Sequence, residues 1–89
     1  MNNTNIAQHY LTAAEQGDAR AQLNLSVMYA NGQGGVKKDY IFAYKWANMA
    51  AMNGNEEAGM LTELLMHYMT RQEIESSRKL TLQCRSNKL

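Results

Sequence analysis

The sequence predicts an all-α fold, about five antiparallel helices stacked as a short solenoid, on three observations. The first is an internal echo. Ala13-Ala14-Glu15-Gln16-Gly17-Asp18 returns as Ala50-Ala51-Met52-Asn53-Gly54-Asn55, an offset of 37 residues, and a period of that size holds two helices and two turns. The second is punctuation. Gly17 and Gly54 stand where a helix must stop, since a residue without Cβ enters the left-handed region at little cost. Asp18 and Asn55 follow at once, with short side-chain oxygens that accept the free N–H groups of a new helix. The third is apolar spacing: Ala21, Leu25, Met28 and Tyr29 fall at helical intervals, as do Ala43, Trp46 and Ala50.

The elements follow in order. The first helix runs from about Asn5 to Gln16 and the second from Asp18 to Ala30. The turn after it, Asn31-Gly32-Gln33-Gly34-Gly35, carries three glycines that allow a tight backbone excursion. Asp39 caps the third helix, which extends to Asn53, and the fourth covers Asn55 to Met69. Thr70-Arg71-Gln72-Glu73 has the form of a capping box, in which Thr and Glu satisfy backbone donors reciprocally. It opens a fifth helix from Arg71 to about Cys84, with Ser86 to Leu89 expected to fray. The stripe Ile74, Ser77, Arg78, Leu80, Thr81 and Cys84 is thin, which suits an end cap with one solvated face. Many interior positions are Ala, so helices can approach closely, and Trp46 and Tyr29 are expected to be the paired large members of the core.

Composition narrows the function. Eighty-nine residues allow one domain, and 45% hydrophobic with 19% charged residues is ordinary for a folded chain. Nine basic against eight acidic residues leave a net charge of +1, too little for a broad nucleic-acid footprint. The single Cys84 cannot close an internal disulfide, which points to a reducing compartment, the cytoplasm. Met1 to Ile6 is polar and Asn-rich, without the pattern of a signal peptide, and no apolar run reaches the roughly 20 residues of a membrane span. The start at Met1 and the capped last helix favour a complete gene product.

Ala19, Ala21, Gln22, Leu25, Tyr29, Gly32, Gly34, Val36, Asp39, Ala43, Trp46, Ala50, Ala51 and Gly54 together resemble the Sel1-like repeat, a relative of the tetratricopeptide repeat. The resemblance implies a right-handed α-α superhelix with one complete repeat at 18–54, a partial repeat helix at 5–17 and a terminal helix pair at 55–85, of a kind found in similar bacterial chains. The chain departs from the pattern at Ser26, where the family usually has Gly at a helix crossing, at Ala47 in place of a second aromatic, and at Gly35, which lengthens the turn. It also lacks the Cys pairs of secreted members. The resemblance implies an adaptor that binds other proteins along the concave face, although fold does not fix function.

Chemistry-bearing groups are sparse. Ser76-Ser77-Arg78-Lys79 spells S-x-x-K but has no S-D-N or K-T-G partner. Glu63 and His67 lie four apart on one helix face, without a visible third or fourth metal ligand. His9 has no readable partner. Cys84 lies near Arg85 and Lys88, which favour its thiolate. From Arg71 onward, five basic residues (Arg71, Arg78, Lys79, Arg85, Lys88) stand against Glu73 and Glu75, a local +3 that serves an acidic partner or, weakly, nucleic acid. These features read as solvated helix faces. No cofactor, metal or catalytic group is expected.

The inner face remains. In repeats of this type the first helix of each pair lines the groove, here the second and fourth. Positions outside the repeat pattern on them are Arg20, Asn24, Val27 and Asn31, then, one offset on, Glu57, Leu61, Leu64 and Tyr68. These eight are the expected partner-binding residues. Exposed Leu61 and Leu64 would prefer a peptide or a second copy of the chain. The expected function is a non-enzymatic protein-binding module. A self-associating homodimer is the alternative, since one repeat with thin caps leaves an apolar end, and an immunity or regulatory protein for a bacterial partner is another.

Overall fold

The computed structural model describes residues 6–86, with side chains to Gln83. It holds five helices: α1 Ile6–Glu15, α2 Ala19–Asn31, α3 Tyr40–Met52, α4 Glu56–Met66 and α5 Arg71–Ser86. No strand occurs among the described residues.

The echo in the sequence has a direct structural counterpart. At the end of α1 the N–H of Gly17 donates to Ala14 O and that of Asp18 to Ala13 O; at the end of α3, Gly54 donates to Ala51 O and Asn55 to Ala50 O. The two turns are the same turn one offset apart, with Gly17 at φ 101° and Gly54 at φ 99°. Each new helix is then capped by the residue that follows. Asp18 accepts from the N–H groups of Arg20 and Ala21, Asp39 from Ile41 and Phe42, and Asn55 from Ala58. Before α5, Thr70 N–H donates to Glu73 Oε1 at 2.9 Å while Glu73 N–H donates to Thr70 Oγ1 at 3.1 Å, a closed capping box.

Helix α3 is the hub. It packs against α2, α4 and α5, while α1 packs on α2. Two apolar clusters flank it. One gathers Ala7, Ala14, Ala21, Leu25, Trp46 and Met49; the other gathers Ala43, Tyr44, Ala47, Leu65 and Met69. The buried alanines admit a few large side chains between helices, as the Ala-rich pattern requires. Ala47 leaves room beside Tyr44 for Leu65 and Met69.

Polar groups inside this core make bonds across helices. Gln22 is 0% exposed; its Nε2 donates to Ala14 O at 2.9 Å and its Oε1 accepts from Asn53 Nδ2 at 3.1 Å. Asn53 Nδ2 also lies 3.3 Å from Gly17 O, so one side chain on α2 links the ends of α1 and α3. Ser26 Oγ donates to Ala43 O and Ser77 Oγ to Ile41 O, both at 2.6 Å. The hydroxyl at Ser26 thus bonds the facing helix at the crossing.

Four details differ from the sequence expectation. Helix α4 stops at Met66, because His67, Tyr68 and Met69 tighten into three-residue turn bonds to Leu64, Leu65 and Met66 carbonyls as Met69 turns into the core. Helix α5 continues to Ser86. Arg78 is exposed and stands off the packed stripe of α5, which is carried by Ile74, Ser77, Leu80 and Thr81. Tyr29 sits against the cluster that holds Trp46, but its ring stacks on Phe42, with centroids 5.4 Å apart. Asn5, the side chains of Cys84 and Arg85, and Lys88 lie outside the described residues.

Candidate partner-binding face

On α2, Arg20, Asn24, Val27 and Asn31 are spaced four, three and four apart, which keeps them on one stripe of the helix. Glu57, Leu61, Leu64 and Tyr68 repeat that spacing on α4 and in the turn after it. The two helices each pack on α3, and a recess opens between them. Val27, Ala30 and Asn31 form one wall, Leu61, Leu64, Leu65 and Tyr68 the other, and Lys38 and Tyr40 the end where the chain enters α3. It encloses about 430 Å³.

Five of the eight expected residues therefore meet in one place: Val27, Asn31, Leu61, Leu64 and Tyr68. Arg20 and Asn24 line a different hollow, between α1 and α2, together with His9, Tyr10, Ala13, Asp18 and Ala21. Glu57 is exposed in the first turn of α4 and lines neither. The separation has a simple cause. The stripe on α2 is continuous, but its first half is flanked by α1 and its second half by α4.

The recess is open, with aliphatic walls interrupted by Asn31, Lys38, Tyr40 and Tyr68. Val27 is 39% exposed, Leu64 52% and Tyr68 63%, large values for residues of this kind facing one hollow. Its far end is aromatic and cationic. The Tyr40 and Tyr68 rings stack with centroids 6.0 Å apart, and Lys38 Nζ lies 5.0 Å from the Tyr40 centroid. Lys38 and Tyr40 were not expected in the site. They flank the Asp39 cap, and the sequence marks that stretch as a helix start rather than as a surface.

The other candidates fall elsewhere. Ser76 is half-buried and Lys79 exposed, with no hydrogen bond between them, and the neighbouring Ser77 is engaged with Ile41 O. Glu63 and His67 share a shallow hollow with Met66, and no cluster of three or more His, Cys, Asp or Glu suited to a metal occurs among the described residues. Arg71, Arg78 and Lys79 are exposed along α5. No described helix is long and apolar enough to cross a membrane.

Paired helices joined by the same glycine turn, capped in register and stacked on a shared central helix, define a helical-repeat protein. The family model for the Sel1 repeat matches residues 7–18 and 19–55, and the chain belongs to the Sel1 repeat family. Sel1 repeats generally mediate protein–protein interaction. The match ends at Asn55, so the whole of the second wall of the recess lies beyond it. No curated protein matches the chain.

Proposed function

We propose that the chain is a non-enzymatic adaptor that binds a protein partner through the recess between α2 and α4. The observation that carries this reading is the convergence of Val27, Leu61, Leu64 and Tyr68 on one open hollow between α2 and α4. Covering Val27, Leu64 and Tyr68 contributes about 0.5–1.5 kcal/mol each, as each is already partly shielded. Arg20 and Asn24 lie apart from the recess, in the hollow between α1 and α2, and Glu57, exposed in the first turn of α4, stands outside both. One repeat domain at 18–54, preceded by a partial repeat helix and followed by a terminal pair, accounts for the whole surface. A cytoplasmic setting suits a chain with a single Cys.

The test uses immobilised chain as bait in a lysate of the native host. Wild type is compared with Leu64→Glu and with Leu82→Glu, a control on α5 whose side chain is 62% exposed. A partner retained by wild type and Leu82→Glu and lost with Leu64→Glu supports the reading. Capture indifferent to Leu64→Glu, or no capture at all, contradicts it.

Self-association is a second reading, favoured by Met60 and Leu64 along one edge of α4 and Tyr68 in the turn after it, with Met60 67% exposed. It predicts a dimer by sedimentation that Met60→Glu disperses; a monomer at high micromolar concentration removes it.

A further inference from the structure

We infer that the α2/α4 recess takes an acidic, apolar peptide segment, its carboxylate held by Lys38 and its apolar side chains seated on Val27, Leu61, Leu64 and Tyr68. The inference rests on the recess being the partner site and names the chemistry of its occupant.

The argument begins at the turn. Gly32 ends α2 in the left-handed conformation, at φ 69°, and a Cβ there would lie 3.2 Å from the backbone nitrogen of Lys38 and 3.3 Å from its Cβ. The missing side chain is what lets Lys38 come in against the end of α2. One residue on, Asp39 N–H donates to Tyr29 O at 2.8 Å, and the Asp39 carboxylate caps α3. The backbone of Lys38 is therefore held on both sides. Its side chain passes over Tyr40, which in turn stacks on Tyr68.

This places a cation at the end of a hollow with aliphatic walls. Lys38 is the only charged residue in the lining, and no carboxylate pairs with it among the described residues. An aromatic face attracts a cation but leaves its outer hydrogens free to donate. The complement is a segment that brings a carboxylate next to one or two large apolar side chains. A second copy of the chain meets this need poorly. In a twofold contact the same patch faces itself, so the recess would supply another Lys38 and no acid of its own.

A phage-displayed random peptide library panned against wild type, Lys38→Glu and Leu64→Glu tests the inference, with circular dichroism confirming that each variant is folded. Wild type is expected to enrich peptides with Asp or Glu close to Leu, Ile, Phe or Tyr. Lys38→Glu is expected to keep the apolar preference and exchange the acid for Lys or Arg. For a synthetic copy of an enriched peptide, Lys38→Ala should weaken binding about three- to five-fold at low salt and flatten its salt dependence, as for an exposed ion pair. Leu64→Glu should weaken it about ten-fold, through the loss of an apolar contact covered on binding together with repulsion between the new carboxylate and the acid of the peptide.

Enriched peptides that lack acids, bind through Leu64 and ignore Lys38→Ala would overturn the inference while leaving the recess as the partner site. Peptides indifferent to Leu64→Glu, or no enrichment, would overturn both. A wild-type dimer by sedimentation that Leu64→Glu dissociates would assign the recess to a second copy instead.

Discussion

Replacing Gln22 with Ala should cost this fold more than any surface change, and the structure gives the size. The side chain is fully buried, and its amide joins three helices: Nε2 donates to Ala14 O on α1, and Oε1 accepts from Asn53 Nδ2 at the end of α3. Two hydrogen bonds are lost, about 1 kcal/mol each, together with about 0.8 kcal/mol for the buried methylene. Ala14 O keeps the N–H of Gly17, so no carbonyl is orphaned and the loss stays near 3 kcal/mol. A chain of this length has roughly 4–13 kcal/mol in total at about 0.05–0.15 kcal/mol per residue. The expected fall in Tm is about 12–24 °C.

Gln22→Met, which keeps the volume and removes the bonds, should cost about 1–2 kcal/mol. Urea unfolding followed by circular dichroism measures both variants. A cycle with Asn53→Ala should return a coupling of about 0.5–1 kcal/mol. Hydrogen exchange should open α1 before the rest, because α1 packs on α2 and Gln22 is its buried polar tie. A Gln22→Ala cost below about 1 kcal/mol, or strict additivity with Asn53→Ala, would refute the tie.

Other outcomes follow from single contacts. Ser77→Ala should lose about 1 kcal/mol by removing the hydroxyl that donates to Ile41 O, and Ser77→Val should lose more by wedging α5 off α3; thermal melts separate the two. Thr70→Ala opens the capping box and should cost about 1 kcal/mol, read as early fraying of α5 by hydrogen exchange. Gly32→Ala combines a left-handed backbone with a Cβ 3.2 Å from Lys38 N, and should cost about 1–3 kcal/mol in urea unfolding while shifting the Lys38 amide resonance. Leu64→Glu should leave Tm within about 2 °C of wild type, since the side chain is mostly in solvent, so that lost binding is not lost folding.

What the sequence makes legible here is mostly local. Asp18, Asp39, Asn55 and the Thr70–Glu73 pair bond to groups within three residues of themselves, and such caps are recognisable from residue type and spacing. The recess residues on α2 and α4 were legible for a related reason, because helical spacing alone puts Val27 with Asn31 and Leu61 with Leu64 and Tyr68 on one face. Their division from Arg20 and Asn24 was not, since it depends on whether α1 or α4 lies alongside.

Contacts between residues far apart in sequence carry no such signal. Ser26 and Ser77 read as a departure and as part of a motif, yet each bonds a carbonyl of α3 from a different side. The early end of α4 reflects the stacking of Tyr68 on Tyr40 and the burial of Met69, both tertiary effects that override helix propensity. Lys38 and Tyr40 join the recess only because the turn at Gly32 folds them back onto the end of α2.

Photo-crosslinking with site resolution tests the central claim most directly. A photoreactive amino acid is placed in turn at Val27, Leu64, Thr12 and Leu82, all exposed, on α2, α4, α1 and α5. Crosslinking of one and the same partner from Val27 and Leu64, with none from Thr12 or Leu82, is the result predicted for a partner seated between α2 and α4. Crosslinks from Thr12 or Leu82, with silence at Val27 and Leu64, would place the working surface on α1 or α5 and contradict the account.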